Sequence, residues 1–136
     1  MRRESFERLV VKAVAELPEE FRERLENVAI IIQPRPTPRQ LVRSRVRRGS
    51  SLLGLYEGIP HPRRTTGYSM VAPDKITIFQ KPIELKCGRD EGKIRREVRR
   101  VVLHEIGHHF GMDEKTLERL ESETEARYKT QQGGSP

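Results

Sequence analysis

From Glu91 to Phe110 the chain runs without proline, and Ile94, Val98, Val101, Val102, Ile106 and Phe110 recur every three or four positions. That spacing predicts an amphipathic helix with one continuous apolar face. On the same stretch stand His104, Glu105 and His108. Residues four apart on a helix share a face, so the two imidazoles can offer nitrogen donors to one metal ion, and an HExxH helix is a zinc signature. Glu105, about 100 degrees further round, falls inside the apolar arc between the directions of Val98 and Val101. A carboxylate half-buried among valines is costly unless a cation faces it, and zinc supplies that charge. A solvated helix face is the bland alternative for the histidine pair, and the placement of Glu105 argues against it. His109 points into the same arc and reads as a histidine of the core, or one standing behind the ligands, with a hydrogen-bond partner rather than as a ligand.

Gly111 indicates how a third ligand arrives. Helices commonly end on a left-handed glycine that reverses the chain, which here swings residues 113 and 114 back toward the histidines. Asp113 precedes a helix-like run and aspartate is a favoured N-cap; if it caps, Glu114 is the freer carboxylate. Glu118, Glu121, Glu123 and Glu125 on the following helix form a further route, although most such glutamates belong to a solvated face. The residues alone leave these routes open.

Beyond the motif, Leu17-Pro18-Glu19-Glu20, the strand-like Asn27 to Ile32, Leu52 to Gly58 and Pro73 to Phe79 join His104 to Glu114 in a pattern that spans nearly the whole chain. The sequence resembles the small bacterial family of zincin-like metallopeptidases, the minizincins, whose single domain carries HExxHxxGxx followed by an acid. The resemblance implies His104 and His108 as zinc ligands, Glu105 as the catalytic base and position 114 as the third ligand. The family usually has aspartate where this chain has Glu114, which is one methylene longer. A peptidase-like fold and site are implied, and no particular substrate.

Composition is consistent with this. A chain of 136 residues with 34% hydrophobic and 35% charged side chains has room for one core under a dense ionic surface. The expectation is one zincin-like domain over residues 1–130 and a disordered tail over 131–136. The single cysteine, Cys87, cannot form an internal disulfide. No apolar run is long enough to span a bilayer and the first residues lack a signal-like apolar core, so a cytoplasmic protein without membrane contact is expected.

In chain order, Phe6, Leu9, Val10, Ala13, Val14 and Leu17 predict a first helix, and Pro18 opens a second containing Phe21 and Leu25. Val28 to Ile32 predicts a strand that Pro34, Pro36 and Pro38 end. The next thirty residues read as a long irregular excursion. Residues 75 to 79 predict a second strand, Pro82 a short helical turn, and a last helix reaches about Tyr128. The fold class is therefore α+β, a small sheet packed on the HExxH helix with further helices around it. An extended peptide pairs with a sheet edge beside the active-site helix in zincins, and Ile76 to Phe79 is the candidate edge, with an interior strand as the alternative.

The chemistry implied is hydrolysis of a peptide or protein substrate by zinc-activated water, with Glu105 as general base. Tyr56, His61, Arg63, Arg64 and Tyr68 are candidates to steady the oxyanion, and Tyr56 also suits a packing anchor. From Gln33 to Arg64 there are eight arginines and one glutamate, the whole of the formal +7 excess. Such a block steers acidic substrates or, within residues 35–64, grips nucleic acid. The lack of interleaved aromatics before Tyr56 argues against nucleic acid. A catalytically silent zincin scaffold that binds a partner is the remaining alternative. Oligomeric state is not legible.

Overall fold

The computed structural model of the chain describes residues 1–44, 52–58 and 73–133, the side chains of 129–133 excepted. Helix α1 (Arg3–Ala15) buries Phe6, Leu9, Val10 and Ala13 on the predicted face. Pro18 stands as N-cap of α2 (Glu19–Arg24), which sinks Phe21 into the same core. The strand β1 (Val28–Gln33) follows.

The stretch predicted as an irregular excursion contains two regular elements, α3 (Pro38–Ser44) and β2 (Gly54–Glu57). Local chemistry explains the helix. Thr37 Oγ1 accepts from the Gln40 N–H at 3.1 Å while Gln40 Oε1 accepts from the Thr37 N–H at 2.9 Å, a reciprocal capping box with proline at the first helical position. Weak apolar periodicity hid it from the sequence. Residues 45–51 and 59–72 lie outside the described residues.

Strand β3 (Asp74–Phe79) leads directly into α4 (Gln80–Cys87), which starts two residues before Pro82. Helix α5 (Glu91–His109) begins on Asp90, whose Oδ1 accepts from Lys93 N–H at 3.0 Å, and α6 (Glu114–Gly133) closes the described chain. α6 thus continues three residues into the segment expected to be a tail; residues 134–136 lie outside the described residues.

The sheet order is β1-β3-β2, with β1 parallel and β2 antiparallel to β3. This corrects the expected edge. Ile76, Thr77, Ile78 and Phe79 are all fully buried in the middle strand. Both faces of such a strand are covered, so Thr77 is as deeply buried as Ile76 and Ile78 on either side of it. Among the described residues the strand beside the HExxH helix is β2, where a Cβ on Gly54 would stand 2.4 Å from Val101 Cγ1. The missing side chain lets the edge pass close over α5.

Helix α5 is the central element, buried through Ile94, Val98, Val101, Val102, Leu103 and Ile106. Its other faces are clamped by charge. Arg99, 5% exposed, reaches Glu16 beyond α1 at 2.8 Å and Glu125 of α6 at 3.0 Å, while Arg95 and Arg96 bind the same two carboxylates. A buried guanidinium is tolerable only with such partners, and removing one of them typically costs about 3–5 kcal/mol. The last turn of α5 projects past this core. Phe110, expected on the apolar face, is 45% exposed with the Arg24 guanidinium 4.6 Å over its ring.

Candidate metal centre

The reversal after α5 has the geometry expected of Gly111. Its φ is +74°, the Met112 N–H donates to Gly107 O at 2.8 Å and the Gly111 N–H donates to His108 O at 3.2 Å. These are the two bonds of a Schellman cap. Asp113 then caps α6, its Oδ1 accepting from the Thr116 N–H at 2.8 Å. That bond, with a second from Thr116, draws its carboxyl below the usual aspartate value. Asp113 is thus engaged with the backbone, and Glu114, the next residue, places Oε1 2.7 Å from His108 Nε2.

One ligating atom from each of His104, His108 and Glu114 lies within 4.8 Å of the other two. The two imidazoles stand edge to face with centroids 5.8 Å apart. Two imidazoles and one carboxylate form a donor set proper to zinc, and three protein donors leave a position open for water or substrate. The residues present therefore fit the ion. Glu121, two helical turns beyond Glu114, places Oε2 2.7 Å from His104 Nε2. Of the four glutamates of the alternative route, Glu125 is committed to the arginine clamp and Glu123 faces Arg119 at 3.9 Å.

A packing contact sets this register. A Cβ on Gly107 would stand 2.1 Å from Leu117 Cδ2, so the absence of a side chain there lets α6 lie close on α5. Glu114 and Glu121 sit three residues before and four after Leu117 and so share its face.

Glu105 is half-buried, as its position in the apolar arc requires. Its Oε1 accepts from the backbone N–H of Tyr56 in β2 at 3.2 Å. Burial raises its pKa above the usual carboxylate value, and the Tyr56 hydrogen bond and the histidines only partly offset this. Leu53 O accepts from the Phe79 N–H, and alternation then turns the Gly54 and Tyr56 backbone away from β3, toward the edge that no other strand pairs with among the described residues. The carboxylate thus lies beneath the outward side of the edge strand.

His109 is not a core histidine. Its side chain is 39% exposed, stacked on the Tyr56 ring at 3.9 Å between centroids, with Nε2 3.9 Å from Asp74 Oδ2. It belongs to the turn that overhangs the core. The Tyr56 hydroxyl donates to Asp74 Oδ2 at 2.7 Å. Burial first, then the hydrogen bond and charge of Asp74, raises that hydroxyl well above the ordinary tyrosine range. Tyr56 is therefore an anchor whose backbone, rather than whose hydroxyl, meets the site. Asp74 carries no signal in the sequence beyond opening a strand. His61, Arg63, Arg64 and Tyr68 lie outside the described residues. In the arginine block, Arg43 pairs with Glu57 at 3.0 Å, while Arg35 and Arg39 are exposed.

A histidine pair and carboxylate on a helix, overlain by a sheet edge, form a candidate metal centre of the zincin kind. A family model described as zincin-like metallopeptidase matches residues 25–124, and the chain belongs to that family. A solved structure of a conserved hypothetical protein from Thermus thermophilus is similar at 26% identity and a TM-score of 0.53, covering 81% of this chain and 94% of that one. No curated protein matches the chain. Among the described residues no helix is long and apolar enough to cross a membrane.

Proposed function

We propose that this chain is a zinc-dependent metallopeptidase in which His104, His108 and Glu114 hold the metal and Glu105 is the general base. The observation that carries the reading is a coincidence of two features that nothing local requires. The three donors converge at the end of α5, and the carboxylate of Glu105, the residue after His104, lies under the outward edge of β2. A bound zinc supplies acidification of a water molecule and polarisation of the scissile carbonyl. Glu105 takes a proton at its carboxylate and passes it to the leaving amine. An extended peptide pairs with the edge of β2 that no other described strand covers, through Gly54 and the Tyr56 carbonyl, since the Tyr56 N–H is held by Glu105, and its backbone so runs past that carboxylate. Arg35 lies beside Arg89 at the other end of α5 from the histidines, so the arginine block favours substrates of acidic character through its long-range field and not by contact at the site.

The test is zinc content and peptide cleavage of the parent beside Glu105→Gln. The parent should carry about one zinc per chain and cleave members of a broad peptide library, and Glu105→Gln should keep the zinc and lose nearly all cleavage. A Glu105→Gln protein cleaving at the parental rate would refute the mechanism.

A further inference from the structure

We propose that Glu121 is a fourth protein donor of this centre, closing it at rest and leaving it when water or substrate must enter. This rests on the zinc reading above and adds a built-in latch to it. Two observations place Glu121 there. Leu117, seated on Gly107, fixes the register of α6, and the pairing of Glu125 with Arg96 and Arg99 at 2.9 and 3.0 Å fixes it again one turn beyond Glu121. Glu121 is held between these two fastenings, with its side chain 27% exposed against 63% for Glu114. It is the more enclosed of the two carboxylates.

The second observation is the contact itself. Glu121 Oε2 lies 2.7 Å from His104 Nε2, the same separation as Glu114 Oε1 from His108 Nε2. An imidazole nitrogen offers one in-plane direction, taken either by a proton or by a lone pair. Glu121 occupies that direction at Nε2. An ion bound through Nε2 must therefore displace this carboxylate or take it as a ligand. With zinc to nitrogen and oxygen distances of about 2.0–2.2 Å, neighbouring donors in a tetrahedral site lie roughly 3.4 Å apart. Each pair has to open by only about 0.7 Å to admit an ion in place of the shared proton. Glu121 stands outside the group of donors that lie within 4.8 Å of one another, so it must also swing toward His108, which a glutamate side chain makes by rotating its own torsions. Two imidazoles and two carboxylates then fill four positions, the count of a closed site, and a water position appears when Glu121 swings away.

The test measures metal binding rather than turnover. Zinc affinity by chelator competition and the visible spectrum of the cobalt(II)-loaded protein are compared for the parent, Glu121→Gln, Glu121→Asp and His104→Ala. Glu121→Gln should weaken zinc by more than the roughly 10- to 100-fold that loss of an outer hydrogen-bond partner costs. It should also change the cobalt bands as water replaces an oxygen donor, and Glu121→Asp should recover part of both. Parental affinity, tighter binding or an unchanged cobalt spectrum in Glu121→Gln would overturn the proposal. His104→Ala separates the two failures: if it too binds zinc like the parent, the metal centre is misplaced, and if it alone loses zinc, only the role of Glu121 falls. Circular dichroism confirms that α6 survives in each variant.

Discussion

Replacing Gly107 with alanine tests whether the metal site is set by helix contact rather than by the motif. The new Cβ would stand 2.1 Å from Leu117 Cδ2 and 3.0 Å from both Cδ1 and Cγ. Carbon atoms rest at about 3.5–4.0 Å, so the end of Leu117 has to retreat by roughly 1.5 Å. Leu117 is fully buried, so its retreat either displaces core neighbours or carries α6 with it. Overpacking of this kind costs about 1–3 kcal/mol, and alanine returns about 0.8–1.0 kcal/mol of helix propensity. The net is a loss of about 0–2 kcal/mol, or up to roughly 8 °C in Tm for a domain of this size. The metal is the sharper readout. Ligand distances tolerate about 0.2 Å, and Glu114 travels with α6, so zinc affinity should fall at least about tenfold while the chain stays folded. Chelator competition and thermal melts on Gly107→Ala, Leu117→Val and the double variant form a cycle in which the second change should restore much of what the first removes. Strictly additive losses, or parental zinc affinity in Gly107→Ala, would refute the argument that this contact positions the ligands.

Other expectations follow from the same geometry. Glu114→Gln should lose zinc affinity whereas Asp113→Asn keeps it, because asparagine caps a helix as well as aspartate; metal titration of both variants decides it, and the reverse pattern would exchange their roles. Glu105 has a folded pKa raised by burial, so its ionisation costs stability as pH rises from the unfolded carboxylate value through the folded one. Metal-free Glu105→Gln should thus melt higher than the parent at neutral pH, with the gap closing in acid; equal melting temperatures at both pH values would contradict the burial argument. Glu97 is the opposite case. Burial opposes its charge, but hydrogen bonds from Arg100 and Lys86 prevail and lower its pKa, so its contribution is present above the unfolded value and lost as pH falls through the folded one. Glu97→Gln should therefore flatten the acid limb of the stability curve. Neutralising Arg35 and Arg39 should slow capture of acidic peptides at low salt and leave turnover at saturation unchanged, and stopped-flow binding at two ionic strengths tests it.

Elements whose cause is local were legible in the chain before any tertiary contact was known. Apolar residues every third or fourth position define α1 and α5, and spacing alone puts His104 and His108 on one face and Glu105 inside the apolar arc. Glycine at 111 and aspartate at 113 act on backbone groups within a few residues of themselves, so the reversal and the cap were both readable. The capping box at Thr37 to Gln40 was readable in principle, since its signal is equally local, but it sits in a stretch with little apolar periodicity. Tertiary structure decided the rest, because the deciding contacts join residues far apart in the chain. Tyr56 N–H meets Glu105 across 49 positions and Glu121 meets His104 across 17. Neither partner marks its own sequence. Strand composition likewise records burial and not neighbours, so Ile76 to Phe79 looked like a possible edge until β2 paired beside it. Which glutamate of α6 faces which histidine depends on how closely two helices pack, and that distance is set by the absence of one side chain at Gly107.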